Sequence, residues 1–198
     1  IINGFTEVGG GILCEDSDPT IQNCRISMCR AATGGGIAAR FSNLNISHCH
    51  IDNNFADNDG GGLALTKNCQ ATISNTTIEE NAGMLFGGGM YLKQDSSEFE
   101  SLAVRYNSAR FGGAMFSASS LNADFSNSIF EENSANSGGV VFSGTSHLVF
   151  TDCQFNTNSA NFFGGVVYAP GSSNLVFNGC NASNNQANEG ACFYTVKE

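Results

Sequence analysis

The chain has 198 residues, 41% of them hydrophobic, enough for one continuous core. A formal net charge of −10, with only 8 Lys and Arg and no basic run, excludes the electrostatic footprint of a nucleic-acid or anionic-lipid binder. Only 13% of residues are charged while 24 are Gly and 16 are Phe, so solubility rests on amides and hydroxyls rather than on Lys and Glu.

The chain begins at Ile1 without Met or a signal-peptide pattern, and no apolar run approaches the roughly 20 residues of a membrane span. From there a glycine-led motif recurs: Gly9-Gly10-Gly11-Ile12, Gly34-Gly35-Gly36-Ile37, Gly60-Gly61-Gly62-Leu63 and Gly87-Gly88-Gly89-Met90. It continues as Gly112-Gly113-Ala114-Met115, Gly138-Gly139-Val140-Val141, Gly164-Gly165-Val166-Val167 and Gly190-Ala191-Cys192-Phe193, at intervals of 25 to 27 residues. A second marker precedes each motif by five or six residues: Cys29, Asn54, Asn81, Asn107, Asn133, Asn158 and Asn185. Two markers that keep phase, the first over seven intervals and the second over six, define a structural repeat.

Aligning the repeats gives columns. One reads Ile21, Ile46, Ile73, Phe99, Phe125, Phe150, Phe177, and another Ile26, Ile51, Ile78, Val104, Phe130, Phe155, Ala182. A third starts at Ile12 and ends at Phe193, and the column two past the Asn is small, from Ala31 to Ala187. Three apolar columns predict three short strands per coil, each with one face inward. A coil cannot bury its own inner face, so stacking creates the core. The expected fold is all-β: a right-handed parallel β-helix of about seven coils of 25–27 residues, spanning residues 1–198 as a single segment of a longer repeat protein.

Each marker has a physical task in that geometry. The glycines turn corners where φ is positive or backbones approach closely. Asn54, Asn81, Asn107, Asn133, Asn158 and Asn185 form a ladder that passes hydrogen bonds from coil to coil. Phe99, Phe125, Phe150 and Phe177 form an interior stack.

The residues Phe130-Glu131-Glu132-Asn133 and Phe155-Asn156-Thr157-Asn158, with Gly112-Gly113-Ala114-Met115, resemble the repeated FxxN and GGA[ILV] tetrapeptides of the polymorphic membrane proteins of chlamydiae. The resemblance is to a repeat type and covers essentially the whole chain. It implies a surface-exposed β-helical passenger that acts in adhesion.

Candidate chemistry is sparse. The outward column Ser27, Asp52, Glu79, Arg105, Glu131 places Arg105 between two carboxylates, which reads as a salt-bridge ladder rather than a catalytic pair. Asp57-Asn58-Asp59-Gly60 lacks the Glu that would complete a calcium loop, since Asn68 stands in its place, and reads as an Asx turn. His48, His50 and His147 do not converge and have no acidic partner in register, so no catalytic, cofactor or metal site is expected. Cys24 with Cys49, and Cys153 with Cys180, share a column on adjacent coils and are candidate disulfides; a buried free thiol packed as a small hydrophobe is the other reading. The sequons at Asn45, Asn75 and Asn181 are candidate N-glycosylation sites, in a number that chance supplies in so Ser- and Thr-rich a chain.

Two functions fit. The first is an extracellular or cell-surface scaffold or adhesin, not an enzyme, whose partners are other coils of a longer chain, end-to-end copies of itself, or host or matrix glycans and proteins. The second is a polysaccharide-binding or polysaccharide-cleaving β-helix of the pectate-lyase kind. Coils of uniform length leave no loop long enough to wall a cleft, which favours the first.

Overall fold

A computed structural model describes residues 1–120 and 122–196. Its strands are three to five residues long and lie in four parallel sheets of eight, seven, seven and six strands. The coil that starts at the second glycine motif is typical, with strands Ile37–Arg40, Asn45–Ser47, His50–Asp52 and Phe55–Asp59 in the first to fourth sheets. Each strand pairs in register with its equivalent one coil on: Ile12 with Ile37, Ile46 with Ile73, Ile51 with Ile78. The chain is therefore a β-solenoid of about seven coils. Among the described residues no helix is long and apolar enough to cross a membrane.

The three apolar columns line the first, second and third sheets. The small-residue column forms the fourth, pairing Ala31 with Ala56, Ala56 with Gly83 and Ala109 with Ala135. Its inward residues are too small to announce a strand by hydrophobicity, and its ladder is broken by bulges after Ala31, Gly83 and Ala135. Asp57, Asn58 and Asp59, expected in an Asx turn with Gly60, instead end the fourth-sheet strand Phe55–Asp59. The fourth sheet runs into the glycine corner, where Gly60 has φ +68° and a Cβ would lie 2.5 Å from the Leu63 carbonyl oxygen. Only glycine fits that bend.

Inside, Phe99, Phe125, Phe150 and Phe177 stack with centroids 4.3, 5.0 and 5.0 Å apart and planes within 14° of parallel. Strand spacing of about 4.8 Å sets that distance. Phe130 and Phe155 stack 5.2 Å apart in the third sheet and meet the first stack edge-on, Phe130 at 79° to Phe150. The edge-to-face contact locks the two sheets together. Truncation of Phe125, buried between two parallel rings, leaves a hole neither neighbour can fill. Phe125→Ala is expected to cost about 3 kcal/mol, against under ~0.5 kcal/mol for Asn174→Ser on the exposed surface. Urea unfolding of both variants checks this, and equal losses would refute the assignment of the columns.

Candidate functional surfaces

The Asn markers lie at the turn between the third and fourth sheets. Asn54, Asn81, Asn107, Asn133 and Asn158 are buried and Asn185 is half-buried. In each step, the backbone N–H and the side-chain Nδ2 of one Asn both donate to the Oδ1 of the next. For Asn81 and Asn107 the distances are 3.0 and 3.1 Å. Nδ2 also donates to a carbonyl of the preceding coil, as Asn107 does to Ile78 at 2.9 Å. The ladder runs unbroken to Asn185, and Cys29 N–H donates to Asn54 Oδ1 at its head. The buried amides of Asn54, Asn81, Asn107, Asn133 and Asn158 are thereby paired within the protein.

All eight cysteines are free thiols. Cys24, Cys49, Cys153 and Cys180 stack in one column, but each thiol donates to the carbonyl two residues before it: Gln22, Ser47, Thr151 and Asn178. Thr76 and Ser128 make the same bond from the same column, to Ser74 and Ser126. These cysteines take the place of a hydroxyl that caps the turn. Burial pushes the Cys153 thiol up to about 11, so it is poorly nucleophilic. The sequon residues Asn45, Asn75 and Asn181 are exposed.

The outer face of the third sheet carries the charged ladder. Arg25 grips Asp52 with two hydrogen bonds, 2.9 and 2.7 Å, and Ser27 adds a third at 2.9 Å. Burial alone would raise the Asp52 carboxyl, but the bonds from Arg25, Asn53 and Ser27 outweigh it and hold it at about 2. Arg105 Nε donates to Glu79 Oε2 at 2.6 Å, and among the described residues no ion pair within 4.0 Å joins it to Glu131. His50, expected to lack an acidic partner, has Nε2 2.7 Å from Glu79 Oε1 and 4.0 Å from Asp52 Oδ1. The residue in register with His50 is Thr77, and the imidazole reaches Glu79 along the diagonal, which exact register does not anticipate. Burial raises the Glu79 carboxyl, and the bonds from Arg105 and His50 more than offset that. His147 Nδ1 lies 3.1 Å from Asn174 Nδ2, and His48 is exposed at a turn.

A second surface lies outside the glycine corner, where the outward residues of the first sheet meet the ends of the fourth-sheet strands. Tyr91, Phe116 and Phe142 stack at 5.5 and 5.2 Å, flanked by Phe86, 4.4 Å from Phe116, and by Phe111, 5.3 Å from Phe142. The ribbon continues through Tyr168, Phe163 and Tyr194. Towards the other end it stops at Tyr91, because the next residues of its column are Ala64 and Ala38. A cavity of about 280 Å³ beside Tyr91 is lined by Thr33, Asp59, Thr66, Lys67, Lys93 and Gln94. Burial raises the Asp59 carboxyl, with Lys93 opposing, and burial then Asp59 push the Tyr91 hydroxyl to about 12. The repeat columns reveal Tyr91, Phe116 and Phe142 only as outward residues one place beyond the third apolar column.

One further charge sits where no sequence pattern marks it. Asp95 is fully buried at the corner between the first and second sheets, beside Cys69 of the preceding coil and in a place where other coils carry Ser42, Ser120 and Ser146. Its Oδ1 accepts from the Ser97 hydroxyl at 2.7 Å and its Oδ2 from the Ser97 N–H at 3.2 Å. Burial raises its carboxyl to about 7 against these two bonds. Among the described residues no group of three or more His, Cys, Asp and Glu is arranged to hold a metal ion.

No curated protein and no solved structure matches the chain significantly. The family described as the right handed beta helix region matches residues 2–78 and 61–198, nearly every coil, and the chain belongs to it.

Proposed function

We propose that this chain serves as a structural or adhesive scaffold outside the cell or at its surface, and not as an enzyme. The observation that carries this reading is the Asn ladder, which runs from Asn54 to Asn185 without an inserted loop. Such a ladder favours a stiff rod whose length is set by the number of coils. The FxxN and glycine repeats, similar to those of polymorphic membrane proteins, favour an adhesive passenger. Its partners are further coils of a longer chain, further copies of itself, or glycans and proteins of a matrix or host.

A lyase or hydrolase is the second reading, favoured by the side-by-side placement of His50, Glu79 and Arg105 on an exposed parallel sheet. Against it, coils of uniform length leave no loop long enough to wall a cleft around these groups. Incubation with acidic polysaccharides, followed by assays for new reducing ends and unsaturated products, is expected to give none. Cleavage that disappears in Glu79→Gln or Arg105→Ala would establish the enzyme instead.

A further inference from the structure

We propose that the turn at Asp95 and Ser96, hinged at Gln94 and Ser97, is a pH-operated latch. It is closed over the preceding coil while Asp95 is protonated, and it opens to uncover Cys69 once Asp95 is ionised. The device is independent of the adhesive role.

The turn lies where a second ladder breaks. At the corner between the first and second sheets, a backbone N–H of one coil donates to a hydroxyl of the next: Ser17 to Ser42 and Ser120 to Ser146 at 3.3 Å, and Ser146 to Ser173 at 3.4 Å. Asp95 precedes Ser120 in this column, two residues past the paired Lys93 and Ala118. Ser120 Oγ is buried and has no hydrogen-bond partner among the described residues, so the step from Asp95 lacks the bond. The two hinges stay tied on both sides. Asn68 and Ala71 of the preceding coil donate their N–H groups to the Gln94 carbonyl and to Ser97 Oγ. Towards the following coil, Gln94 N–H donates to the Ala118 carbonyl, and Asp124 N–H to the Ser97 carbonyl. Between the hinges, among the described residues, a single bond to a neighbouring coil holds the turn: Ser96 N–H to the Cys69 carbonyl, at 3.1 Å.

The trigger is the carboxyl. Asp95 is fully buried, and both its oxygens accept from Ser97 of its own turn. Among the described residues no Lys, Arg or His pairs with it within 4.0 Å. Cys69 faces it from the preceding coil, fully buried; burial raises its thiol, and the Asp95 charge adds to that. Ser120 faces it from the following coil and does not titrate. Lys93, two residues before it, is exposed on the outer face beside Asp59. An ionised carboxylate in the closed turn therefore has neither a counter-charge nor bulk water, and in the open turn it has water. Its carboxyl stands at about 7 when closed and at about 3.9 in water. Opening is therefore favoured increasingly from about pH 4 to pH 7 and levels off above that. The part that gives way is the part with the fewest bonds to its neighbours.

The test pulses the 198-residue chain with N-ethylmaleimide between pH 5 and pH 8 and reads each cysteine by peptide mass spectrometry. Dividing the Cys69 rate by that in Asp95→Asn at the same pH cancels the thiol's own chemistry. The ratio is expected to rise roughly 100-fold from pH 5 to pH 8, as the two carboxyl values require. Asp95→Ser, which installs the residue that other coils carry, should give the same ratio and serves as reference should Asp95→Asn fail to fold. Cys153 is equally buried but lies at the corner between the second and third sheets. At pH 8 it should label about tenfold more slowly than Cys69, or slower still. A ratio that does not change with pH would overturn the proposal. So would Cys153 labelling as fast as Cys69, because the whole solenoid, and not this turn, would then be opening.

Discussion

Asn107→Ala is expected to destabilise the chain by about 5 kcal/mol. The substitution removes one side chain and strands several buried partners. The backbone N–H and the Nδ2 of Asn81 lose their acceptor, the Ile78 carbonyl loses a donor, and Asn133 Oδ1 loses the Nδ2 donor. Each buried polar group left unpaired costs about 1–3 kcal/mol. No water replaces the amide, because Asn107 is fully buried and flanked along the axis by Asn81 and Asn133. The same change at Asn185, half-buried at the end of the ladder, should cost much less. Chemical denaturation of both variants checks the contrast.

Asp95 gives the second large effect, a stability that falls as pH rises towards neutrality. Its carboxyl stands at about 7 in the folded chain and at about 3.9 in an unfolded one. Between those values the folded state holds a proton that the unfolded state has released. Stability contributed by this group is therefore complete below about pH 4, declines through neutrality and is gone above about pH 8. A shift of roughly three units corresponds to about 4 kcal/mol. Asp52 works in the opposite sense: its depressed carboxyl stabilises the fold above its ordinary value and loses that contribution as pH falls towards 2. Asp95→Asn should melt higher than the native chain at pH 8 and lose that advantage at pH 4. A native melting temperature flat from pH 5 to pH 8 would contradict the burial of a titrating carboxyl.

The repeat is legible in the sequence because its cause is geometric. Gly60 and Gly87 recur where a Cβ would strike backbone, and Asn81 and Asn107 where one side chain must donate two bonds and accept two along the axis. Ile73, Phe99 and Phe125 recur because one interior column must stay apolar. What the pattern conceals falls into two kinds. The fourth sheet is built on Ala56 and Ala109, whose hydrophobic signal is weak. The surface contacts join residues out of register: His50 to Glu79 along a diagonal, and Phe86 to Phe116 across a corner. Columns describe what repeats, whereas a departure from a column, as at Ala64 below Tyr91 or Asp95 beside Cys69, carries no periodic signal.

The measurement closest to the central claim, an unbroken internal ladder joining the coils, is hydrogen exchange of the Asn side-chain amides. The Nδ2 protons of Asn81, Asn107 and Asn133 are buried and bonded on both sides, so they can exchange only when coils separate. They are predicted to exchange as slowly as the most protected backbone amides of the third sheet, far behind the exposed Asn174. Exchange of the three at the rate of Asn174 would mean that the ladder does not exist and that the coils are held together some other way.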